Sequence, residues 1–133
     1  MKILIVFIVA FILIDVLIVG YVVWRRTHRK ISERAKEEIR NAWKKLIRGH
    51  DFKNAVMEAD KLLDHALGEF GLSGNLGSKL KRAPHFFKDL NSLWAAHKVR
   101  NNIAHQMNYQ VDGGTYKRTM LAFKQAFKDL KIF

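Results

Sequence analysis

Cysteine is absent from the sequence, which excludes a disulfide framework and any thiolate metal site and fits a reducing compartment. Its one proline, Pro84, closes the glycine-rich stretch GLSGNLGSKLKRAP. No run alternates in the manner of a strand, and there is neither a repeat nor a low-complexity tract. The GNLG segment lacks the preceding strand and the following Lys-Ser/Thr that a phosphate-binding loop requires. Metal ligands are equally sparse. His97 and His105 lie eight residues apart, roughly 12 Å along a helix, so they cannot ligate one ion directly, and no carboxylate cluster completes a site. No cofactor and no metal are implied. Acids are also scarce: 12 Asp and Glu face 24 Lys and Arg, a formal net charge of +12.

The first 30 residues stand apart. Residues 3–24, ILIVFIVAFILIDVLIVGYVVW, hold 17 Ile, Leu, Val or Phe and one charge, and as a helix they span roughly 33 Å, the thickness of a bilayer core. Asp15 costs about 2.5 to 3.5 kcal/mol near the centre, against roughly 5 to 10 kcal/mol from the apolar residues, so insertion wins. A cleaved signal peptide would need a shorter apolar region and a small-x-small cleavage site, whereas Gly20-Tyr-Val-Val-Trp runs directly into Arg25 and Arg26. Only Lys2 precedes the span, while Arg25, Arg26, Arg29 and Lys30 follow it, which by the positive-inside rule places the C-terminal part in the cytoplasm of a single-pass inner-membrane protein. Asp15 reads either as a tolerated polar residue or as one aiding helix self-association.

Residues 31–133 keep 19 bases against 11 acids. Such a surface favours nucleic acid or the anionic inner leaflet, and a domain held close to that leaflet gains from being basic whatever its task. The apolar pattern is helical throughout. Ile31 to His50 carries one stripe, with Ser32 as N-cap; Asp51 caps a second helix with apolar residues from Phe52 to Phe70. The loop from Gly71 to Pro84 holds a short helix near Ser78 to Arg82, whose basic tip is either solvated or in contact with phosphate. Residues 86–109 form a third long helix, and VDGG turns the chain into a fourth, with Tyr116, Met120, Phe123, Phe127 and Leu130 as its buried stripe. The fold class is therefore all-α: an N-terminal transmembrane helix over residues 1–30 with its basic flank, then an antiparallel four-helix bundle over residues 31–133.

The third of these helices poses the question of function. At 100° per residue with Leu90 at zero, Val99, Ile103, Ala96, Met107, Leu93, Ala104 and Trp94 cover an arc from about 180° through 360° to about 40°. Arg100 falls at about 280°, His97 at about 340° and Asn101 at about 20°, all within it, and His105 at about 60° sits on its edge. A guanidinium cannot shed its proton, so burial demands a partner. One solution is an internal ion pair with Glu58, Asp60 or Asp64 of the second helix, whose loss would strand a carboxylate at about 3 to 5 kcal/mol. The other uses the width of the arc, more than one core needs, and turns part of the helix toward a second protomer or a ligand.

Arg100-Asn101, three residues, then His105 reproduce an R-N-x-x-x-H pattern, and with AVMEADKLLDHAL and LWAAHKVRNNIAH the chain resembles the HEPN superfamily over roughly residues 40–130, in particular an uncharacterised bacterial group of HEPN-like proteins. The resemblance implies a small helical bundle, a homodimer and a metal-independent endoribonuclease or RNA-binding domain. It also implies roles: His105 as acid or base, Arg100 holding the scissile phosphate, and Asn101 orienting or binding. Imidazole titrates near neutrality and guanidinium offers a fixed fork of donors, so these residue types suit attack by a 2'-hydroxyl on its neighbouring phosphate. Arg100 and His105 are about 140° apart on an ideal helix, which favours convergence across a two-fold axis. Some family toxins answer to a nucleotidyltransferase partner that modifies a tyrosine two residues after the histidine; Met107 stands there instead, with Tyr109 two further on, which speaks against that control. No antitoxin or other protein partner is identified by these residues. His97 has no counterpart in the motif and reads as a hydrogen-bonded core histidine. The alternative function is a non-catalytic helical interaction or scaffold module at the cytoplasmic membrane face, with Arg100 an internal ion-pair residue.

The basic flank generates the first test. A reporter active only outside the cytoplasm, fused after Phe133, should remain silent, and activity would reverse the orientation.

Overall fold

The computed structural model describes residues 1–27 and 30–133. The described residues form six α-helices and one short 3₁₀ turn, without a strand. Two compact units separate, Met1–Lys30 and Ile31–Phe133.

The first unit is α1, Lys2–Thr27. Its stretch from Lys2 to Arg25 is long and apolar enough to cross a membrane, and none of it is buried within the chain. A signal sequence shares that length and composition. Of the basic flank, Arg29 and the side chain of Arg26 lie outside the described residues.

The second unit holds α2 (Glu33–Leu46), α3 (Phe52–Glu69), α4 (Leu76–Arg82), the 3₁₀ turn Pro84–Phe86, α5 (Leu90–His105) and α6 (Gly113–Asp129). Each of these α-helices starts on a side chain that accepts a hydrogen bond from the backbone N–H three residues on: Ser32, Asp51, Asn75, Asp89 and Asp112. Every such cap stabilises its helix by about 1 kcal/mol. The side chain and then the backbone of Ser92 hold the Asp89 carboxyl below its ordinary range, and the backbone and then the side chain of Thr115 do the same for Asp112. Helix α3 ends at Gly71, whose φ of 85° is the left-handed conformation that lets the Leu72 N–H reach back to the Leu67 carbonyl at 3.2 Å.

Helix α3 lies at the centre, packed against α2, α4, α5 and α6, and α5 also packs on α6. Val56, Ala59, Leu63, Ala66 and Leu67 of α3 meet Ile39 and Trp43 of α2 and Phe123 and Phe127 of α6 in one core. Trp43 packs edge-on against Phe127 with ring centroids 5.4 Å apart. The C-terminus is drawn in: Lys131 adopts a φ of 56°, Ile132 is buried, and Arg40 donates from Nε to the Ile132 carbonyl at 2.7 Å.

Several expected boundaries move. Helix α2 is shorter than the Ile31–His50 stripe, and α4 begins at Leu76 rather than Ser78 because Asn75 captures the Ser78 N–H. The third long helix is Leu90–His105 instead of residues 86–109: Asp89 caps it late, and Gln106 is extended, closing the last turn with its N–H on the Asn102 carbonyl. Met107 is consequently 98% exposed and does not belong to the buried arc, and Ala104 is exposed as well. The basic loop tip also differs from expectation. Lys79 is only 6% exposed, and Arg82 folds back onto the Ser73 carbonyl.

Candidate functional site

Asp60 and Asp64 lie one turn apart on α3, so both point from the same face of the central helix. Above them pass α4 and α5, and the three helices enclose an open cleft of about 570 Å³. Arg100, Asn101 and His105 all line it, together with His97, Trp94, Ser78 and Lys81. Arg100 and His105, five residues or about 7.5 Å apart along α5, therefore share one cleft within a single protomer, which the 140° separation on an ideal helix did not lead one to expect.

The cleft is organised by Asp60, whose residue exposure is 3%. A buried carboxylate is costly unless paired and hydrogen-bonded. His97 Nδ1 approaches Oδ1 at 2.7 Å, and Arg100 Nε approaches Oδ2 at 3.3 Å. The first is a hydrogen bond. The second is an ion pair whose Nε–H is not aligned on the oxygen, so it counts as charge compensation rather than as a directed bond. Of the three acids flanking the stripe of α3, Asp60 is thus the partner of Arg100; Glu58 pairs with Lys61 at 2.7 Å, and Asp64 with Lys79 at 2.9 Å. His97 is a hydrogen-bonded histidine, packed edge-on against Trp94 with centroids 5.9 Å apart.

Arg100 is not sealed in. Its side chain keeps 27% exposure, and the guanidinium is braced a second time by Nη1 donating to Asn101 Oδ1 at 3.0 Å. Among the described residues no acceptor is paired with Nη2. His105, the last residue of α5, is exposed, and its side chain makes no hydrogen bond or ion pair among the described residues. An imidazole open to solvent and a braced guanidinium in one cleft can hold an oxyanion and move a proton.

The charges nearly cancel within the cleft. Asp60 and Asp64 stand against Lys61, Lys81 and Arg100 in the lining, and of these cations Lys81 is exposed and has no ion-pair partner among the described residues. Lys81 and the pair of Lys79 with Asp64 were not singled out from sequence, where the tip near Ser78 to Arg82 reads as basic and either solvated or in contact with phosphate. The burial of Asp60 had a signal: it follows Val56 by one turn and precedes Leu63 and Leu67 at helical spacing, within the apolar stripe. A second cleft of about 520 Å³ runs between α5 and α6 past Leu93, Val99, Ala122 and Ala126, and none of the motif residues lines it. Among the described residues no three His, Cys, Asp or Glu side chains gather closely enough to hold a metal ion.

This geometry sets a stability expectation. Arg100→Ala leaves Asp60 its bond from His97, so the variant should lose about 1 to 3 kcal/mol, the cost of one unsatisfied buried acceptor, rather than the larger loss of a wholly stranded charge. Denaturant unfolding of the full chain in detergent micelles measures it. No protein-family model, no curated protein and no solved structure matches this chain.

Proposed function

We propose that the chain is a membrane-anchored HEPN-like protein whose cytoplasmic domain, an antiparallel four-helix bundle elaborated by the short α4, is a metal-independent endoribonuclease or RNA-binding domain. The observation that carries this reading is the meeting of Arg100, Asn101 and His105 in one open cleft. His105 is free of protein partners and is assigned the proton transfer, Arg100 the scissile phosphate, and Asn101 the bracing of the guanidinium. In this scheme the RNA 2'-hydroxyl attacks the adjacent phosphorus as a base takes its proton, the 5'-oxygen leaves with a proton, and charge on the phosphoryl oxygens is met by the guanidinium. The net charge of +12 supports an anionic polymer as the ligand. The reading includes a homodimer, supported by apolar Ala104 and Met107 standing exposed on either side of His105.

A second reading, a non-catalytic interaction module at the cytoplasmic membrane face, is favoured by one observation: Arg100 already has an internal carboxylate.

The test is direct. The full chain in micelles should cut single-stranded RNA in the presence of chelator and leave a 2',3'-cyclic phosphate. Arg100→Ala and His105→Ala should each lose roughly 100-fold or more of the activity while remaining folded. Wild-type protein that cuts none of a broad set of RNAs would remove the nuclease reading, and RNA binding without cleavage would leave the binding-domain form of it.

A further inference from the structure

We infer that Asp60 is a positioning residue for Arg100, an internal carboxylate that orients the guanidinium toward a phosphate in the cleft. This rests on the proposed function and assigns a residue outside the R-N-x-x-x-H motif to the same site.

A free arginine side chain samples many rotamers, and a fork of donors acts on a phosphate only when its plane is set. Here the guanidinium is held from two sides, by an ion pair and by one directed hydrogen bond. Nε lies 3.3 Å from Asp60 Oδ2 as a charge contact without an aligned N–H, and Nη1 donates to Asn101 Oδ1 at 3.0 Å. Nη2 is left without an acceptor among the described residues, on a side chain that lines the cleft and keeps 27% exposure. Asp60 is in turn immobilised: it is 3% exposed on the central helix, and its other oxygen takes the hydrogen bond from His97, which is wedged against Trp94. The order Trp94, His97, Asp60, Arg100 thus runs from packed wall to working group. The pairing of Arg100 with an internal acid and its exposure to the cleft are two halves of one device.

Orientation and charge then act in opposite senses. Asp60 places a negative charge beside the cation that must hold a phosphate, so it weakens ground-state anion binding while aligning the donor for the transition state. A purely structural carboxylate has no reason to split affinity from turnover in this way.

The experiment uses the full chain in detergent micelles, with single-stranded RNA as probe, and compares wild type, Asp60→Asn and Asp60→Glu after each is shown to melt cooperatively. Asp60→Asn should bind RNA as tightly as wild type or more tightly, yet turn it over about 100-fold more slowly. Asp60→Glu keeps the charge and shifts the carboxylate by one methylene; it should bind near wild-type affinity and lose about 10-fold in turnover. If Asp60→Asn does not fold, Asp60→Glu alone decides. In parallel, the Arg100 Nε–H resonance, assigned by its disappearance in Arg100→Lys, should be resolved in wild type and should shift and broaden in either variant. A folded variant with wild-type turnover and an unmoved resonance overturns the inference. Should wild type fail to cut RNA at all, the nuclease reading falls separately, and the resonance decides positioning: unmoved in a folded variant, it refutes Asp60 as the brace.

Discussion

The burial of one carboxylate constrains much of the second unit. Asp60 sits on the helix that every other helix of that unit touches, and at 3% exposure it requires compensation. Both of its partners come from α5, three residues apart, so a single acid ties the central helix to one face of its neighbour. Sliding α5 by one residue would rotate that face by about 100° and leave the acid unpaired. The same contact holds His97 and Arg100 at the inner wall of the cleft and carries α5 on to His105 at its rim. A second pair, the buried Lys79 with the half-exposed Asp64, lies one turn further along α3 and ties α4 to it. The cleft therefore derives its shape from paired charges and its walls from apolar packing.

These pairings also set the electrostatics. Most of the excess positive charge lies on the outer surface, while inside the cleft Arg100 is offset by Asp60. For the proposed RNA ligand this separates two tasks. Long-range attraction comes from the basic surface and falls with salt. Local handling of a phosphate falls to one oriented guanidinium, Lys81 and the exposed His105. In the proposed anchored form, the apolar N-terminal helix, joined to the proposed RNA-handling domain by a few basic residues, would keep the chain near an anionic surface.

Much of the helical plan was legible because it depends on local signals. The caps Ser32 and Asp51 and the 3.6-residue spacing of α3 and α6 are written in adjacent residues, and the long apolar run of α1 is evident by inspection; the caps Asn75, Asp89 and Asp112 were not read. The motif in α5 was visible too, as was the need of Arg100 for an acid. Which acid was not: Glu58, Asp60 and Asp64 flank the same stripe, and only the packing of α5 on α3 selects Asp60. Lys79 shows the converse limit. Its neighbours Lys81 and Arg82 are exposed, and nothing in KLKRAP marks the one lysine whose stem crosses to Asp64, because that partner is 15 residues away. The end of α5 was misjudged for a related reason. Met107 continues the apolar period, but the chain leaves the helix at Gln106.

The claim on which the account turns is that the cleft between α3, α4 and α5 is where an RNA phosphate is held. Titrating the isotope-labelled full chain in micelles with a short single-stranded RNA and following its ¹H–¹⁵N spectrum addresses it directly. The account predicts that the largest shifts fall on Ser78, Lys81, Arg100, Asn101 and His105. Shifts confined to the lysines of α2 or α6, or a spectrum unchanged at saturating RNA, would contradict it.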